Sequence, residues 1–163
     1  MQYNTKPEFV GIPALIDKHR EQIEKFELWA SRGAWMDFHY SHYDWWTFPI
    51  DKPSNYGFRY VVYEGEIAQL KADDGFMTRF RRGVELLSTS WGWDVHAQKP
   101  MPEPTSAQTW QQWPIRLQKA AHSSHLFGEQ ALFDGLCVYA LTLIAAKESF
   151  WYNGRDLSTY FTP

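Results

Sequence analysis

Apolar and polar positions alternate with the period of an α-helix from Ile12 onward. Ile12, Ile16, His19, Ile23, Phe26 and Ala30 stand four or three residues apart, so they share one face. Asp17, Lys18, Arg20, Glu21, Glu24 and Lys25 fill the opposite face, which reads as a solvated outer surface. Pro13 suits a first helical turn and Gly33 a stop, so the pattern predicts a helix over Pro13–Ser31 after an extended lead-in at 1–11. A second stripe, Met77, Phe80, Val84, Leu87 and Trp91, follows a capping Asp73 or Asp74 and ends at Gly92. A shorter helix is expected over Glu66–Lys71, carrying Ile67 and Leu70.

Towards the C-terminus a helix is expected from about Ser106, interrupted or restarted at Pro114, with Trp110, Trp113, Leu117 and Ala121 inward. The last helix is expected over Glu129–Tyr152. Leu132, Leu136, Tyr139, Leu143, Ala146 and Phe150 form one stripe, and Phe133, Cys137, Ala140 and Ile144 a second beside it. A helix apolar on most faces is packed on several sides. Asn153-Gly154 ends it, and Tyr160-Phe161 folds back. Between these elements, 51–57 is a turn region, Phe58–Tyr63 is β-prone but short, at most one strand or an extended pass over the surface, and Lys99–Ser106 is a proline-rich loop. The expectation is a mainly α fold: one compact helical domain over residues 1–163, of roughly four to six helices, with at most one short strand or hairpin.

One stretch does not fit a simple amphipathic pattern. Trp35–Pro49 holds three Trp, two Phe, two Tyr, two His and two Asp. Each buried ring removes ~150–250 Å² from water, worth several kcal/mol at ~25 cal/mol per Å² as an upper bound. That much apolar surface does not sit in a solvated loop, yet the interleaved His and Asp need partners once inside. The stretch is either a polar-studded core segment or the wall of a pocket. As a wall it would take a small molecule or a peptide through His39, His42, Tyr43, Asp44, Trp45 and Trp46.

His39 and His42 are three apart, as are His122 and His125. On helices such pairs share a face, and two of them could converge on a transition metal with a carboxylate such as Asp37 or Asp44. The alternative to a binding module is therefore a metal-dependent enzyme or metalloprotein built on the two pairs. The Glu-x-x-His ligands usual in helical metal sites are missing, and the bland reading has these histidines capping helices or hydrogen-bonded in an aromatic core. Arg79, Arg81 and Arg82 could touch phosphate, but Glu85 lies within ion-pair reach of Arg81 and Arg82 along the helix, which favours a solvated face.

Composition narrows the choice. Apolar residues at 44% and charged residues at 21% are those of a folded globular protein. A net charge of −3 offers no global attraction for nucleic acid or anionic lipid. Cys137 is the only cysteine, which excludes an intrachain disulfide and a cysteine-rich zinc site. The longest apolar run, Leu136–Ala146, is too short to span a bilayer. No basic region followed by an apolar stretch opens the chain, so the expectation is a cytoplasmic protein without a signal peptide. Its surplus of aromatic residues further suggests a homo-oligomer. There is no glycine-rich phosphate loop, Gly-x-Ser-x-Gly elbow or His-Glu-x-x-His.

From Tyr43 through Asp94, about a third of the chain, the sequence resembles the conserved region of the opioid growth factor receptor family. The matching residues are Tyr43, Trp46, Phe48, Pro49, Asp73, Arg79, Arg82, Leu86 and Gly92. Trp45 stands where the family has Gln, Thr47 where it has Leu, and Ser41-His42 where it has His-Asp. The resemblance implies a helical domain and, after the family's animal members, peptide binding. It carries over no catalytic residue.

Overall fold

The two longest apolar stripes find each other. In the computed structural model, which describes residues 1–163, α1 (Ile12–Ser31) packs along its buried face, Leu15, His19, Gln22, Ile23 and Phe26. The aromatic stretch supplies two short helices, α2 (Trp35–Tyr40) and α3 (Asp44–Thr47). α4 (Glu64–Lys71) leads into α5 (Asp74–Ser90), whose cap is Asp73: its carboxylate accepts from the Phe76 N–H at 2.9 Å. α1 lies against α5, and the approach is close enough that a Cβ on Gly83 would stand 2.8 Å from the Ile23 side chain.

After α5 the chain turns at Gly92 (φ +74°) into a two-residue hairpin, β1 (Trp93–Asp94) and β2 (Lys99–Pro100). Then α6 (Pro114–Leu126) and α7 (Gln130–Ala145) form a second helix pair. A second hairpin, β3 (Trp151–Tyr152) and β4 (Arg155–Asp156), runs into a 3-10 turn over Leu157–Tyr160. Phe127 at the end of α6 reaches Phe76 and Phe80 of α5, ring centroids 5.7 and 5.1 Å away, and so joins the two pairs in one core.

The mainly α reading holds, but with seven α-helices instead of four to six, because the aromatic strip itself coils into two of them, and with two short hairpins instead of at most one. Four local expectations change. Phe58–Tyr63 is not a strand: its backbone bonds go singly to separate partners, Val62 N–H to Ile50 at 3.1 Å and Arg59 carbonyl to Val10 at 3.1 Å. The Asn4 amide holds that segment by donating to the Phe58 and Val61 carbonyls at 2.9 and 2.8 Å. α6 begins only at Pro114; Trp110 precedes it, packed on Trp91 and Tyr139, and Trp113 is exposed. The arginines pair across helices, Arg81 with Glu129 at 2.6 Å and Arg82 with Glu27 at 2.9 Å, while Glu85 takes His96.

The fourth change is the end of α7. The Glu148 N–H reaches the Leu143 carbonyl and the Lys147 N–H that of Ile144, each at 3.0 Å, with Lys147 at φ +66°. This is a Schellman closure with lysine where glycine is usual. Asn153 and Gly154, both at positive φ, make the tight turn of the β3–β4 hairpin rather than a helix stop. Lys147→Gly is expected to raise stability by about 1 kcal/mol through relief of the left-handed backbone. Urea unfolding checks it, and a destabilised variant would contradict the closure.

No helix is long and apolar enough to cross a membrane. The aromatic surplus is mostly absorbed by the core: of nine tryptophans only Trp113 and Trp151 are exposed.

Candidate functional site

The aromatic stretch is neither all core nor all wall. It is a folded corner locked by one residue of α6. Arg116, 3% exposed, donates Nε to the Asp44 carboxylate at 2.8 Å and its two other nitrogens to the Phe38 and Ser41 carbonyls, both at 2.7 Å. Its guanidinium lies 4.3 Å from the Tyr43 ring centroid. Thus a single planar fork satisfies carbonyls at the end of α2 and the carboxylate that opens α3. Tyr43 is fully buried and donates its hydroxyl to the Phe38 carbonyl at 2.7 Å; burial pushes its phenol well above the ordinary range.

This lock turns Asp44 and Trp45 toward a cleft of about 500 Å³. Its other walls are Ile50 and the loop 52–55, the face of α6 that carries Lys119 and His122, and the β3–β4 hairpin with Tyr160. That volume lies within the usual span of small-molecule sites. Beside Trp45 and Lys119 lies a second hollow of only about 10 Å³, bordered by Phe48, Tyr60 and Val61.

Lys119 is the unusual group. It is only 8% exposed, its Nζ lies 5.0 Å from the Trp45 ring centroid, and it makes no hydrogen bond or ion pair. Burial, reinforced by the Arg116 charge, holds its pKa below the ordinary lysine value against the opposing pull of Asp44. Asp44, the one carboxylate on the cleft wall, is already committed to Arg116. Lys52 and Arg155 also border the cleft and have no ion-pair partner. In a chain of net charge −3, the uncommitted charge in this cleft is positive.

His122 completes the wall. Its Nε2 is 2.8 Å from the Asp51 carboxylate and its Nδ1 3.1 Å from the Tyr160 hydroxyl. Burial first, then Cys137 and Asp51, push the Tyr160 phenol up to about 12, so it donates to the imidazole. Asp51, His122 and Tyr160 therefore form one hydrogen-bonded row.

The residues singled out from sequence are divided by the fold. Asp44, Trp45 and His122 border the cleft. Trp46 faces α1 instead, donating its indole N–H to Gln22 at 3.2 Å beneath the Lys18 ammonium. His39, 3% exposed, pairs Nε2 with the Ala107 carbonyl at 2.8 Å, and burial lowers its pKa. His42 is exposed, edge-on to Trp113. His125 lies 6.4 Å from His122, ring to ring, and packs on Phe133.

The two His-x-x-His pairs are thus not brought together, and no three His, Cys, Asp or Glu side chains are grouped to hold a metal ion. The physical reason is that His39 already satisfies a loop carbonyl and His122 an Asp–Tyr row, so neither points at a common centre. Lys119, Arg116, Asp51 and Tyr160 were not singled out. The available signal was the spacing of Arg116, Lys119 and His122, three apart along one helix.

Compared with known proteins, the chain matches no family model, no curated protein and no solved structure.

Proposed function

We propose that the chain is a binding protein for a small anionic ligand with a flat apolar part, held in the cleft between α3, α6 and the β3–β4 hairpin. What carries this reading is Lys119, a largely buried side chain whose amine reaches the cleft beside Trp45 with no hydrogen bond or ion pair of its own. An ammonium on a partly enclosed wall without a hydrogen-bonded counter-ion is open to a charge-assisted bond, which an incoming carboxylate or phosphate supplies. Trp45 and Tyr152 offer faces for a ring, while Lys52 and Arg155 draw a second acidic group to the mouth. The ligand class is that of diffusible metabolites, in keeping with a cytoplasmic protein.

Terephthalate and phenyl phosphate are suitable probes, followed by tryptophan fluorescence, with uncharged terephthalamide as the control. Binding is expected for the anions alone and should weaken as salt rises. Lys119→Met is expected to weaken it about 10- to 100-fold, the worth of a charge-assisted hydrogen bond, while Lys119→Arg largely keeps it. Equal binding of terephthalamide, or of terephthalate by Lys119→Met, would overturn the reading.

A further inference from the structure

We infer that Lys119 is a nucleophilic amine that condenses reversibly with the carbonyl of an anionic aldehyde or oxo acid held in the cleft. This rests on the anion-binding reading above and assigns the site a covalent step.

The starting point is geometry. Lys119 lies on the α6 face that borders the cleft, more than nine-tenths buried, with its Nζ against the Trp45 ring and no hydrogen bond to constrain it. Arg116 precedes it by three residues, so a second cation sits beside the ammonium on the same helix. Only a neutral amine has the lone pair for attack, and a desolvated lysine beside another cation loses its proton more readily. The lowered pKa of Lys119 agrees with this. Asp44, the nearest carboxylate, does not neutralise the ammonium in a salt bridge because Arg116 holds it.

The step balances without an oxidant or reductant. The Nζ lone pair forms a bond to the carbonyl carbon, and the π pair moves to oxygen, which takes up a proton as nitrogen gives one away. A second proton to that oxygen releases it as water, the nitrogen lone pair closes the C=N bond, and the resulting iminium N–H returns that proton. Amine and carbonyl thus become imine and water.

Proton carriers line the same wall. His122 follows Lys119 by three residues on α6 and is joined to Tyr160 and Asp51 at 3.1 and 2.8 Å. Tyr160 ends that row at the cleft, where its hydroxyl can pass a proton to the departing oxygen while the imidazole behind it takes part in replacing it. Lys52 and Arg155 would hold the acid group, leaving the carbonyl end for Lys119.

The test uses the whole chain with 4-formylbenzoate, which combines a flat ring, a carboxylate and an aldehyde. Sodium cyanoborohydride traps any imine, and peptide mass spectrometry reads its position. Lys119 is expected to carry about tenfold more label than any other lysine. Excess terephthalate should suppress that label. Lys119→Arg should lose it, because a guanidinium stays protonated and has no free lone pair for attack. Label spread evenly over the surface lysines, with terephthalate binding intact, overturns the covalent step and leaves the anion site standing. Failure of terephthalate to bind, read separately by fluorescence, overturns both.

Discussion

Arg116→Met is expected to cost about 3–5 kcal/mol of stability, the usual result of leaving one member of a buried ion pair uncompensated. The loss extends beyond charge. Besides Asp44, the guanidinium satisfies the carbonyls of Phe38 and Ser41, and methionine leaves both buried or partly buried with one donor fewer. Lysine does not substitute, since one ammonium cannot span three acceptors on two helices. Urea unfolding of Arg116→Met, Asp44→Asn and the double variant forms a cycle. The double variant should lose less than the sum of the singles, because removing both charges leaves no isolated ion. A single-variant loss below about 1 kcal/mol would mean that the α2–α3 corner is held by its aromatic packing and not by this fork. Because the same fork orients Asp44 and Trp45, Arg116→Met should also weaken terephthalate binding at concentrations of urea where the variant stays folded.

The contrast between what could and could not be read from the chain follows the range of the interactions. The faces of α1 and α5 were legible because helical periodicity is local: Ile23, Phe26, Phe80 and Val84 announce their burial through neighbours three and four residues away. The break after Ala145 was not, since Lys147 adopts a backbone conformation that its side chain does not advertise. The site was half legible for the same reason. Asp44 and Trp45 stand out inside the aromatic strip, but Arg116 lies 72 residues from Asp44, and His122 lies 71 residues from Asp51. No spacing rule links such residues; only the docking of α6 on α3 does.

The resemblance to the opioid growth factor receptor family rests largely on residues with structural work. Phe48 and Leu86 are buried, Asp73 caps α5, and a Cβ on Gly92 would stand 2.8 Å from the Gln108 carbonyl. Trp45, which departs from the family pattern, is the one that borders the cleft.

His19 provides the second large effect. The stripe of α1 places it among apolar positions, and it is fully buried against Phe76, ring centroids 4.5 Å apart. Neither ring nitrogen has a hydrogen-bond partner. Burial and the nearby Arg79 charge lower its pKa from 6.5 to about 3; the Thr47 backbone pulls the other way but lies outside hydrogen-bonding geometry. The native imidazole is therefore neutral down to low pH, whereas the unfolded one protonates near 6.5. Between those values the unfolded state binds more protons, so stability falls as pH falls through that window. The loss from this residue is about 3 kcal/mol between pH 7 and pH 4, and its pH dependence fades only as pH rises about a unit above 6.5. His19→Leu keeps an apolar side chain of similar size, removes two unsatisfied nitrogens, and should be more stable by about 1–3 kcal/mol at neutral pH. The decisive readout is the difference between the two unfolding curves across pH, which cancels the carboxylates common to both proteins. The leucine variant's advantage should widen by about 3 kcal/mol from pH 7 to pH 4. A constant difference would show that the imidazole charges within the fold, and that the core around Phe76 and Phe80 opens to let a proton in.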